Sequence, residues 1–215
     1  MKTTLLLLLA AGFGLANPVA YEILPVERGL LELTVEKTGL LSGKEHLFTC
    51  ARYQGTLLID RDALESSAIT MTIDSRSISC HDAWLSPKDL HKVQDYALKD
   101  MLAADLYPRI TFQSNAIKKI ATAQYEVRGM LIIRGISRPS IVIVSLRSKS
   151  GEPLSIEGTS RVRLTDFDLK PPTAALGTIG TKNEMSFRFF LTATPQGERC
   201  PSEHNTSACA VSAEE

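Results

Sequence analysis

Charge of one sign is missing from this chain of 215 residues: 24 lysines and arginines balance 24 aspartates and glutamates, with no basic block or stripe. Nucleic acids and anionic membrane surfaces therefore find no electrostatic footprint to engage. Beyond the first residues no apolar run approaches the roughly 20 residues that span a bilayer, and no fixed-period repeat signals a solenoid or propeller. Cysteine is scarce, four in all with the first at Cys50. A chain of this length buries a core of its own without a metal or a disulfide scaffold. Also missing is any polar cluster placed for catalysis, so the residues imply neither an enzyme nor a metal site nor a cofactor.

What is present begins with a leader. Met1-Lys2, an apolar run from Leu5 through Leu15, and small residues at Gly14 and Ala16 match a secretory signal peptide, with cleavage expected after Ala16 and a less favoured alternative at Ala20. No cysteine follows closely enough to carry a lipid anchor, so a periplasmic or secreted protein is expected. The resulting division is a signal peptide at 1–16, one domain at 17–195, and a polar tail at 196–215 that loses all alternation and reads as disordered.

The domain reads as short strands. Leu31, Leu33 and Val35 alternate with Glu32, Thr34 and Glu36, and Tyr125, Val127, Leu131 and Ile133 with Glu126 and Arg128, which puts one apolar face inward. Tyr53, Leu57 and Ile59 share a parity, as do Ile69, Met71 and Ile73. Further strands are expected at 47–59, 68–78, 110–117, 125–134, 140–148, 154–164 and 185–194, with long connections near Gly151 and from Pro171 to Gly180. About eight strands, closed into a barrel, have no free edges and enclose either a packed core or one small ligand. A single helix interrupts them: Ser86 as N-cap, Pro87 in the first turn, Asp89 at the positive end of the dipole, and an apolar stripe of Leu90, Val93, Ala97, Leu98, Met101 and Leu102. It is expected to cover one barrel end.

Motifs that suggest other chemistry fail on spacing. Gly39-Leu40-Leu41-Ser42-Gly43-Lys44 is one residue short of a phosphate loop, has Glu45 where a magnesium-binding hydroxyl belongs, and precedes a strand. Cys80-His81-Asp82 holds the residue types of a catalytic triad, but neighbours on a strand point to opposite sides. His46, His81 and His91 lack ligand spacing and are expected on the surface. Cys50 and Cys80 share the outward parity and lie near each other if a turn at 62–65 joins their strands, so a disulfide is expected between them. A second is expected between Cys200 and Cys209 in the tail. Asn205-Thr206-Ser207 is a weak glycosylation signal.

Three runs carry a resemblance: Lys37-Thr38-Gly39-Leu40-Leu41-Ser42-Gly43-Lys44-Glu45-His46, then Leu106-Tyr107-Pro108-Arg109-Ile110-Thr111-Phe112, then Gly129-Met130-Leu131-Ile132-Ile133-Arg134-Gly135-Ile136-Ser137-Arg138-Pro139. In this order they resemble the YceI-like family of bacterial exported proteins over residues 21–193. The resemblance implies an all-β, eight-stranded antiparallel, lipocalin-like barrel whose cavity binds a polyisoprenoid or an isoprenoid quinone, and no enzyme. Asp166-Phe167-Asp168 departs from the family's Asp-Phe-Gly and puts a local turn in question. No ligand contact carries over from those motifs. Inward parity instead nominates Leu33, Val35, Tyr53, Leu57, Ile69 and Met71 from the first half, and Phe112, Tyr125, Leu131, Ile133, Phe187, Phe189 and Leu191 from the second, each equally consistent with ordinary core. Three functions stay open: a carrier of an amphiphilic isoprenoid lipid, an accessory delivering quinone to a membrane cytochrome, and a solid-cored structural or stress protein.

Overall fold

The computed structural model describes residues 18–26, 29–60, 63–148 and 153–196. The expected leader, and the tail with Cys200, Cys209 and Asn205, lie outside the described residues. The chain runs through β1 (Val19–Ile23), β2 (Leu30–Gly39), β3 (Glu45–Cys50), β4 (Tyr53–Ile59), β5 (Ala68–Asp74) and β6 (Ile78–Cys80), then helix α1 (Pro87–Tyr96). There follow β7 (Arg109–Ala121), β8 (Gln124–Ile133), β9 (Ile136–Arg147), β10 (Leu154–Arg163), the two-residue β11 (Thr173–Ala174) and β12 (Ile179–Pro195). Among the described residues no helix is long and apolar enough to cross a membrane.

All strand pairings are antiparallel, and they close. From β1 the order runs through β4, β5, β7, β8, β9, β10 and β12, and β12 returns to β1, an eight-stranded barrel. Three of its staves are broken midway. β12 is long enough to pair with β2 along residues 179–190 and with β1 along 193–195, while β3 and β6 continue the lines of β4 and β5 beside β2. Ser77 splices two of these breaks: its Oγ accepts from the Arg52 amide at 3.0 Å and donates to the Asp74 carbonyl at 2.7 Å.

The breaks overturn one expectation. Alternation carried across residues 51–52 and 75–77 puts Cys50 and Cys80 outside, whereas each break shifts the strand's phase and turns both inward. They are 6% and 7% exposed. They also miss each other in register: Cys50 faces Ile78 and Cys80 faces Phe48. Diagonal neighbours of this kind hold their Cβ atoms well beyond the roughly 3.5–4.5 Å a disulfide needs, and both are free thiols. Burial pushes each thiol up to about 12, so at neutral pH only about one in 10⁵ is thiolate. Iodoacetamide is expected to leave Cys50 and Cys80 unmodified in the folded protein and to label both in denaturant. Rapid labelling of either without denaturant, read by peptide mapping, would contradict this packing.

The helix forms as its caps dictate. Ser86 Oγ accepts from the Asp89 amide at 3.2 Å, Pro87 occupies the first turn, and the whole apolar stripe packs on the core. A π-turn over Ala97–Met101 ends it, and Arg134 donates to the carbonyls of Asp100 and Met101 at 3.2 and 3.0 Å. Gln94 does more than pack: its Oε1 accepts from the Cys80 amide and its Nε2 donates to the Ile78 carbonyl, both at 2.6 Å. One side-chain amide thus stands in for the strand that β6 lacks on that edge.

The three familiar runs are joints. Gly39 and Gly43 shape the β2–β3 turn with φ of 70° and 87°, and a Cβ on Gly39 would sit 2.0 Å from the Thr178 carbonyl oxygen. Tyr107-Pro108 docks onto Ser75, whose amide donates to the Pro108 carbonyl at 3.0 Å and whose hydroxyl donates to the Tyr107 carbonyl at 2.9 Å. The turn in question also forms, with Asp168 left-handed at φ 56°, a region aspartate tolerates better than most residues. β9 starts earlier than expected because Arg134-Gly135, at φ 51° and 76°, turns the β8–β9 hairpin in two residues, and β12 does so because residues 179–181 pair with β2 and β11. Pro139 then lies within β9, opposite Met130.

Candidate functional site

The barrel interior holds two adjoining apolar chambers. The first, about 130 Å³, lies among β4, β5, β7, β8, β9, β10 and β12. Two of its hydroxyls are committed to the wall: Ser67 accepts from the Asp60 amide at 3.0 Å and Ser160 donates to the Ile141 carbonyl at 2.8 Å. The second, about 360 Å³, lies under α1 and the π-turn. Ile73, Ile110 and Phe187 line both and mark a waist between them.

Glycines on the inward face make room in the first chamber. A Cβ on Gly158 would lie 2.4 Å from the Phe189 ring, and one on Gly129 would lie 2.6 Å from the Phe112 ring. Each aromatic ring edge thus occupies the space that a side chain on the next strand would fill. Gly55 does the same for Met71, whose sulfur would be 2.3 Å from an added Cβ.

The nominated residues fall as follows. Leu57, Ile69, Met71 and Phe112 line the first chamber, together with Tyr125, Leu131, Phe189 and Leu191. Leu33, Val35 and Ile133 line the second, and Phe187 stands at the waist. Tyr53 lines neither. It begins β4 at a break, where the β1–β2 connection covers it: its hydroxyl would lie 2.4 Å from a Cβ on Gly29. That hydroxyl is the one fully buried side-chain polar atom without a hydrogen bond among the described residues.

The second chamber has a polar corner that alternation alone did not reveal. Lys37 continues the inward series Leu31, Leu33, Val35 and is 9% exposed; a lysine in phase with an apolar series was the available signal. Thr181 faces it across the β2–β12 pair. His46, expected on the surface, faces Val35 instead, and only 12% of its side chain is exposed. Its Nδ1 is hydrogen-bonded to Oδ2 of Asp82, a fully buried carboxylate whose Oδ1 accepts from the Leu47 amide at 2.8 Å. Trp84 stacks on the His46 ring at 5.7 Å and donates to the Glu45 carbonyl at 2.9 Å. This pairing crosses 36 positions of sequence, so nothing local announces it. His81 turns outward to Thr49 at 2.8 Å and His91 is exposed, as expected.

A carboxylate on Nδ1 fixes the imidazole and leaves Nε2 as the free nitrogen. Burial holds the Lys37 ammonium below the usual lysine range, and the Asp82 charge opposes that shift. His46, Cys80 and Asp82 also bring one ligand atom each within 4.8 Å of one another, a trio able to hold a metal. Both Asp82 oxygens, however, already take hydrogen bonds from Leu47 and His46.

Comparison with known proteins agrees with this geometry. Curated relatives carry only the name UPF0312 protein: one from Pseudomonas savastanoi pv. phaseolicola is 26% identical over 125 residues, 56% of this chain and 62% of the relative. One from Vibrio cholerae is 23% identical over 124 residues, 55% of this chain and 62% of the relative. The alignment thus spans less than two thirds of these relatives' length. Among solved structures, Burkholderia cenocepacia BcnA superposes with a TM-score of 0.60 at 20% identity, covering 78% of this chain and 97% of BcnA. A polyisoprenoid binding domain from Saccharophagus degradans gives 0.55 at 12%, covering 81% and 98%. The YCEI protein of Campylobacter jejuni gives 0.52 at 17%, covering 70% and 85%; at these identities the likeness is one of fold. The YceI-like domain model matches residues 31–192, and with three-quarters of its length inside that match the chain belongs to the YceI-like family.

Proposed function

We propose that this protein is a non-enzymatic carrier that encloses one long apolar chain, such as the isoprenoid tail of a quinone or polyprenyl lipid. The observation that carries the reading is the pair of chambers meeting at Ile73, Ile110 and Phe187, a path suited to an extended tail. Burial favours such a tail by roughly 0.8 kcal/mol per methylene relative to water. A bilayer offers the same burial, so the net preference over a membrane is much smaller. The resemblance to a polyisoprenoid binding domain supports the choice of tail. The apolar leader at 1–16 supports export, where a carrier would move lipid between membranes.

Native mass spectrometry of protein exported from its host, followed by organic extraction, tests the reading. A copurifying amphiphile with an isoprenoid tail is expected. Apoprotein alone, with no uptake of added polyprenyl quinone, would refute it.

A further inference from the structure

We propose that the chamber under α1 receives a carboxylate head group on Lys37, so that the chain this protein carries ends in an acid; the inference rests on the carrier reading above. Lys37 is nine-tenths buried and lines the chamber, yet its ammonium makes no hydrogen bond or ion pair among the described residues. Lys92, which also borders this chamber, is held from outside by Asp89 at 3.0 Å. Asp82 makes no hydrogen bond or ion pair to Lys37: its oxygens take hydrogen bonds from Leu47 and His46, and its charge favours the ammonium only from a distance. An ammonium held in a largely apolar chamber without a hydrogen-bonded anion is costly, and its three donors are left free for a ligand.

One further donor of this corner fits an arriving oxyanion. Thr181 lies directly across from Lys37, and its hydroxyl has only a long contact, 3.5 Å, to the Pro172 carbonyl. Leu33, Val35 and Phe48 face the same chamber, so the tail of such a ligand continues toward the waist. One ammonium matches one negative charge. A diphosphate would bring more charge than Lys37 offsets, close to the Asp82 carboxylate. A neutral quinone or alcohol would leave the ammonium unpaired by charge.

Calorimetry with three ligands of one tail, geranylgeranoic acid, geranylgeraniol and geranylgeranyl monophosphate, tests this on the full chain. The acid is expected to bind about 10- to 100-fold tighter than the alcohol, the range for hydrogen bonds to a charged group. Lys37→Met is expected to bind acid and alcohol equally, and Lys37→Gln to keep only a small preference. Removing the amine also removes its burial penalty. The folded-state pKa lies below the unfolded value, so that penalty is fully present below the folded pKa and fades as pH rises through it. Ligand-free Lys37→Met is therefore expected to melt about 2–4 °C higher than the parent. Equal binding of acid and alcohol by the parent would overturn the head-group assignment while leaving the carrier reading intact. So would an acid preference that survives in Lys37→Met, or a monophosphate that outcompetes the acid. Failure of all three ligands would overturn both.

Discussion

Gly158→Ala is expected to abolish uptake of a long apolar chain. The new methyl would sit 2.4 Å from the Phe189 ring and 2.7 Å from the Ile143 carbonyl oxygen. The ring is the softer of the two neighbours, and its way out of the wall leads into the first chamber, which it also lines. Overpacking of this kind costs about 1–3 kcal/mol of stability, within what a domain of this size survives. The binding defect should exceed the stability defect, because a relocated phenyl ring occupies space the ligand needs. Adding Phe189→Ala to the same chain is expected to restore uptake. If Gly158→Ala binds polyprenyl quinone like the parent, the first chamber is not where the tail lies.

A charge placed inside the wall should act even more severely. Leu131 lines the first chamber opposite Phe112, so Leu131→Asp buries a carboxylate with no partner and is expected to lose about 3 kcal/mol or more in urea unfolding. Glu126 lies five residues away on the other face of β8, paired to Arg128 at 2.8 Å. Glu126→Asp is expected to change stability by no more than about 0.5 kcal/mol. Equal losses at the two positions would mean that the faces of β8 are assigned wrongly.

How much of this was legible beforehand follows from how local each determinant is. Alternation within an unbroken strand is local, and the β8 and β12 residues nominated from it all line a chamber. The helix was legible for the same reason, since Ser86, Pro87 and Asp89 act within one turn. Cys50 and Cys80 are separated from the strands that set the parity by a two- or three-residue interruption, which resets the phase, while Tyr53 keeps its inward phase but is covered by the β1–β2 connection. Lys37 stood in plain view in phase with Leu33 and Val35, but a search for apolar positions passes over it. His46 and Asp82 meet only because β3 and β6 pair, a fact settled by barrel closure and not by spacing.

The Gln94 amide that completes the edge of β6 has a bearing on time rather than on affinity. A lid held only by apolar contact swings readily, but this helix carries two of the sheet's own hydrogen bonds and is anchored to the β8–β9 turn by two more from Arg134. Lifting it unzips a piece of the barrel, so exchange at that end is tied to local unfolding and to its slow clock. A cargo seated under α1 would then be kept for long journeys and surrendered when something loosens that stitch.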